Sequence, residues 1–152
     1  MTAGTIDEPV SLKEVLRYQH PGVICRYARE HQATPEQAAE LFRETLKWLY
    51  LCARAAEDGP EGLALAVHPE IEKIDWMWHT FLVFTRDYAE FCERHFGLFI
   101  HHVPNEDEDD EVAPDEATIR TGLEQQYAFV YDVLGEETLQ AWYGECRYAV
   151  EK

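Results

Sequence analysis

The stretch IDWMWHTFLVFTRDYAEFCERHFGLFIHHVP, Ile74 to Pro104, decides how the chain is read. It combines Trp76, Trp78, a run of Phe, Cys92 and the four histidines His79, His95, His101 and His102. Read as helix, its first part puts Asp75 and His79 on one face, four residues apart. A carboxylate there accepts a hydrogen bond from one imidazole nitrogen. That fixes the tautomer and frees the other nitrogen for a ligand. The same pair also suits a buried histidine satisfied by its helix neighbour, and the residues leave both readings open. Trp76 and Met77 point elsewhere and suit a core.

The next question is whether the helix continues. If unbroken to Phe96, it holds Cys92 roughly opposite His79. A break near Thr85 frees Cys92 to turn back. Thr85 is an acceptable N-cap, so a second helix is expected over Arg86 to Phe96, ended by Gly97. Tyr88, Phe91 and Cys92 form its inner edge. The following LFIHHVP is expected to be extended, because a residue before proline avoids the helical region. His101 and His102 then point to opposite sides, and one of them faces inward.

The candidate cluster is therefore His79, His102 or His101, Asp75 and Cys92, walled by Trp78 and Tyr88. Imidazole, carboxylate and thiolate together suit a divalent metal, zinc or iron with open positions. The chain has neither H-E-x-x-H nor the paired E-x-x-H of di-iron bundles.

Working outward, ATPEQAAELFRETLKWLYLCARAAEDGP is the clearest helix. Thr34 caps it, Pro35 fits the first position and Gln37 completes a capping box. Leu41, Phe42, Thr45, Trp48, Leu49 and Cys52 recur at helical spacing, and Gly59-Pro60 stops it. Before it, SLKEVLRYQH reads as a short helix ended by Pro21-Gly22, and VICRYAREHQ as a second. EGLALAVHPE is an ordered loop or a turn of helix. After the opening stretch, the acidic run Glu106 to Glu111 reads as a solvated loop. It lacks the glycine and the spaced ligands of an EF-hand. PDEATIRTGLEQQYAFVYDVLG restarts a helix, and EETLQAWYGECRYAV is the last one. No alternating run reads as a sheet. The expected fold is all-α, a compact bundle of five to six helices with an acidic loop. Residues 1–10 are expected to form a flexible N-terminus and residues 11–152 a single helical domain.

Composition supports this. The apolar fraction is 46% and the aromatic fraction 12% of 152 residues, enough for a core in one domain. Thirty acids against 13 bases give a formal charge of -17. Such a chain repels nucleic acid and anionic membranes, and it attracts cations or a basic protein partner. The first ten residues lack the basic and apolar regions of a secretory signal. No stretch approaches the ~20 apolar residues of a membrane span. Cys25, Cys52, Cys92 and Cys146 lie far apart among apolar residues, which favours reduced thiols and a cytoplasmic protein over two disulfides. Serine occurs once, at Ser11, so a serine nucleophile is not expected.

The opening stretch resembles the glycine-rich domain-containing protein-like family, a domain of unknown function in plant proteins and small bacterial ones. The family pattern is D-x-x-W-H, then Tyr, Cys, Gly and a final His. Asp75, Trp78, His79, Tyr88, Cys92, Gly97 and His102 match it. The match covers about thirty residues and, more loosely, the helix before them. Some relatives have a His one residue after the position of Thr80, where this chain has Phe81, so that ligand is missing. A His-Pro context in relatives at Val83 to Thr85 agrees with a break there. The plant members' glycine-rich region is absent, so no RNA-related role follows. The resemblance implies that His79, Cys92 and His102 belong to one site, and it supplies no reaction. Three readings follow. The first is a ligand- or metal-binding domain. The second is an acidic module that neutralises a basic partner. The third is a small enzyme using the metal, or Cys92 with His79 or His95.

Overall fold

The computed structural model describes residues 11–102 and 115–150. Among them the chain forms helices and helical turns and no strand. The expected N-terminal tail and the acidic run Glu106 to Glu111 lie outside the described residues. The described residues form seven α-helices, not five or six. The surplus comes from two short pieces: α1 (Leu12–Val15) is one turn and α7 (Glu136–Leu139) four residues.

The central element is α3 (Pro35–Asp58). Its capping box is complete: Thr34 Oγ1 accepts from Gln37 N at 3.0 Å, and Gln37 Oε1 accepts from Thr34 N at 2.9 Å. Leu46, Trp48, Leu49, Tyr50 and Leu51 are all buried. A helix that is apolar most of the way round must be covered on several sides. Accordingly α1, α2 (Pro21–His31), α4 (Glu72–Leu82) and α6 (Glu116–Leu134) all pack on it. The buried apolar side chains form one continuous cluster.

Pro21 does not end a helix as expected. It starts α2, where its missing N–H costs nothing. His20 caps that helix: its Nδ1 accepts from Val23 N at 3.1 Å, and its Nε2 reaches Asp87 Oδ2 at 2.7 Å. Asp87 belongs to α5 (Thr85–Phe96), so one imidazole joins two helices.

The break in the opening stretch lies between α4 and α5. Thr85 is already inside α5, and Phe84 holds the cap position without a side-chain bond. The Phe84 ring instead packs edge-on against His20, centroids 5.0 Å apart. Gly97 ends α5 at φ 71°, a left-handed conformation that glycine adopts without strain.

Beyond α6, the expected last helix is cut short. After α7 the backbone widens into a π-helical turn, Gln140–Gly144, closed by a 2.7 Å bond from Glu145 N to Gln140 O. Trp142 enters the core there, and its Nε1 donates to buried Glu44 on α3 at 2.8 Å. A Cβ at Gly144 would sit 1.9 Å from Gln140 Oε1, so the Gln140 side chain folds over a position without one. The chain then runs to α4, where Lys73 N, an unpaired donor of the first turn, finds Tyr148 O at 2.8 Å. All four cysteines are free thiols.

Candidate functional site

Two elements bring the site together. The helix α4 carries Asp75 and His79 one turn apart. The segment after α5 carries His102 back onto them. That return depends on Tyr88, whose hydroxyl donates to Ile100 O at 2.6 Å and accepts from Trp78 Nε1 at 3.0 Å. Tyr88 and Cys92 are both buried, and Cys92 lies under the same return, against the Tyr88 hydroxyl and the Ile100 backbone.

Asp75, His79 and His102 each offer one ligand atom, and these atoms lie within 4.8 Å of one another. His102 Nε2 is 2.6 Å from Asp75 Oδ1, and His79 Nε2 is 3.5 Å from Asp75 Oδ2. Asp75 therefore hydrogen-bonds His102, not the helix neighbour His79 that its spacing suggested. His79 stays within ion-pair range of the carboxylate at 3.5 Å, while His102, arriving from the segment after α5, takes the short hydrogen bond. Ring packing completes the arrangement. Trp78 lies 4.2 Å from the His102 ring and His79 lies 4.3 Å from it. No hydrogen bond reaches the Nδ1 atoms of His79 or His102 among the described residues, so packing alone orients their outer edges.

The burial is graded. The side chains of His102, Asp75 and His79 are 11%, 27% and 60% exposed. The group sits at a cleft of about 500 Å³ lined by Trp48, Cys52, Val67, His68, Glu72 and Trp78, among others. Space of this size falls in the range of ligand sites. His101 is exposed, packs on Phe99 and borders the same cleft. Of the two neighbouring histidines, His102 turns inward to Asp75.

Two expected site residues do not line the cleft. Tyr88 holds Trp78 from behind instead of walling the site. Cys92 is sealed in the core, and burial pushes its thiol up, opposed by the Ile100 backbone and the Tyr88 hydroxyl. Its place on the inner edge of α5 faces the core, so it supports the return and supplies no ligand atom. His95, the other histidine considered beside it, has its Nδ1 within 3.1 Å of Phe91 O. The thiol at the cleft is Cys52 of α3, and burial pushes it up to about 12. A thiol so protonated is a poor nucleophile.

Sequence reasoning also missed Glu72, His68 and Gln126. Glu72 had a signal, for it precedes Asp75 by three and His79 by seven on one helical face. Gln126 had none. It is buried on α6, where its Oε1 accepts from Ala66 N and its Nε2 donates to Ala66 O, both at 2.9 Å. Its second N–H reaches Tyr143 Oη at 3.0 Å. This amide clamps the loop that forms one wall of the cleft.

A family model described as UCP032817-like matches residues 14–130. The chain belongs to the UCP032817-like family. The matched span holds the whole Asp75, His79 and His102 group, and it ends before α7 and the π-helical turn. No curated protein and no solved structure matches this UCP032817-like chain. No helix among its described residues is long and apolar enough to cross a membrane.

Proposed function

We propose that this UCP032817-like chain is a metal-binding domain in which Asp75, His79 and His102 hold one divalent ion, zinc or iron. The observation that carries the reading is the convergence of three ligand atoms within 4.8 Å from two segments far apart in sequence. An ion with bonds of about 2.0–2.1 Å in tetrahedral geometry separates its ligand atoms by roughly 3.3 Å. The two imidazoles lie 2.6 and 3.5 Å from the two oxygens of the Asp75 carboxylate, so an ion entering the group would draw the three side chains onto itself in place of the His102–Asp75 hydrogen bond. Two imidazoles and a carboxylate form the donor set of catalytic zinc sites and of iron sites with open positions. Structural zinc sites are closed by four protein ligands. Here three ligands border a cleft, which supports an open ion that a small molecule can reach. The resemblance to the glycine-rich domain-containing protein-like family fits this reading, since the residues that carry it include the three ligands and their supports Trp78, Tyr88 and Cys92.

The test is metal analysis of protein purified without a His-tag, beside a His79→Ala/His102→Ala double variant and a His101→Ala control. The expected result is about one equivalent in the wild type and in the control, and loss in the double variant. Sub-stoichiometric metal in the wild type, or equal metal in all three, refutes the proposal.

A further inference from the structure

The face of α4 that carries Lys73 and Trp76 is rotated about 100° from the one that carries Asp75 and His79. It opens on a separate cavity of about 310 Å³ between α2, the start of α3 and the C-terminal segment. One side is a stack of three rings. His31 lies parallel to Tyr27 at 4.2 Å and 22°, and to Trp76 at 4.9 Å and 18°. Tyr27 is buried, while His31 and Trp76 are half-exposed at the cavity.

The polar groups that line this cavity include several donors without a partner. Lys73 makes no ion pair among the described residues, and the Trp76 indole N–H and the His31 ring have no hydrogen-bond partner there. Gln37 spends its carbonyl on the α3 cap, which leaves its amide N–H groups available. Arg147 stands at the rim, held by Glu145 at 2.6 Å. The one carboxylate, Glu40, already accepts from Tyr148 Oη at 2.7 Å. Lys73 is thus a free cation beside several free N–H groups at one aromatic-lined hollow, while Arg147 shares its charge with Glu145 and Glu40 keeps one carboxylate there.

We infer that this cavity binds a small planar organic anion, a ring bearing a carboxylate. The ring lies against the Tyr27, His31 and Trp76 wall, whose edges carry partial positive charge. The carboxylate meets Lys73 and Arg147 and the indole N–H of Trp76. The inference is independent of the metal reading, because none of these residues belongs to the Asp75 group.

The experiment is titration calorimetry of the full chain with benzoate in the presence of a chelator. Benzamide, acetate and inorganic phosphate serve as comparison probes. Benzoate is expected to bind saturably, with benzamide and acetate each weaker by about fivefold or more, one lacking the charge and the other the ring. Lys73→Gln and Trp76→Leu should each weaken benzoate by a similar factor. Thermal melting of both variants checks their fold. Lys73 is the safer of the two, since its structural bond is made by its backbone. The His79→Ala/His102→Ala variant should bind benzoate like the wild type. The inference is overturned by no saturation with benzoate, by benzamide or phosphate binding equally well, by an unchanged affinity in Lys73→Gln, or by loss of binding in the His79→Ala/His102→Ala variant.

Discussion

Replacing Gln126 with Leu should unfasten the wall of the cleft beside Asp75, His79 and His102. The side chain is 1% exposed and holds both backbone groups of Ala66. Leucine fills much the same volume but returns neither hydrogen bond. The Ala66 N–H and C=O lose their partners, and so does one contact of Tyr143 Oη. An unsatisfied buried polar group costs about 1–3 kcal/mol. Ala66 is half-exposed, so water relieves part of this. Leucine also gains some transfer energy over glutamine. A net loss of about 2–4 kcal/mol follows. At roughly 3 °C per kcal/mol for a chain of this size, Tm should fall by about 6–12 °C. The assay is calorimetric melting joined to amide hydrogen exchange at Ala66, which should become much faster than in the wild type. A Tm within about 2 °C of the wild type, with unchanged protection at Ala66, would refute the clamp.

Two further predictions concern the return of His102 and alkaline pH. Tyr88→Phe removes the bonds to Ile100 and Trp78, and it should weaken metal binding about tenfold or more, the usual cost of losing an outer support. Competition with a chromophoric chelator measures this, and unchanged affinity would show that Tyr88 plays no part in placing His102. Burial raises Tyr27 to about 12 and Cys52 to about 12 and pushes Tyr88, Tyr143 and Tyr148 up as well. In the unfolded chain these groups lose protons near pH 9 to 10, while the folded chain retains them. Stability is thus intact below pH 9 and lost as pH rises from 9 to 12; Tyr27 alone accounts for up to about 3 kcal/mol of that loss. Beyond the contribution of exposed Tyr131, tyrosinate absorbance should appear together with loss of helix in circular dichroism, and early ionisation that persists in a Tyr131→Phe background would contradict the burial of these side chains.

How much was legible beforehand depends on the range of the interaction. The caps were readable because a cap is local: Thr34 with Gln37, and Gly97 past the end of α5, act within one turn. The all-α class was readable for the same reason, since spacing within a helix reports which residues share a face. Pro21 reads locally either as a stop for the helix before it or as the first residue of the next, and with His20 capping Val23 N it starts α2. The tail of the last helix departs from its local preference, for Trp142 bonds Glu44 where the helix widens. The cluster itself was legible as a set of residue types, with Asp75, His79 and His102 among them. Its internal wiring was not.

By itself the sequence determined that the chain is helical, strongly acidic and broken between Leu82 and Arg86, because helix periodicity, net charge and turn residues are properties of neighbours along the chain. Only the tertiary structure decided that Asp75 serves His102, that Cys92 is sealed away while Cys52 meets the cleft, and that Gln126 holds the wall. Each of these depends on which face of one helix meets another. That choice is made by burying one common core, and no spacing within a single segment encodes it.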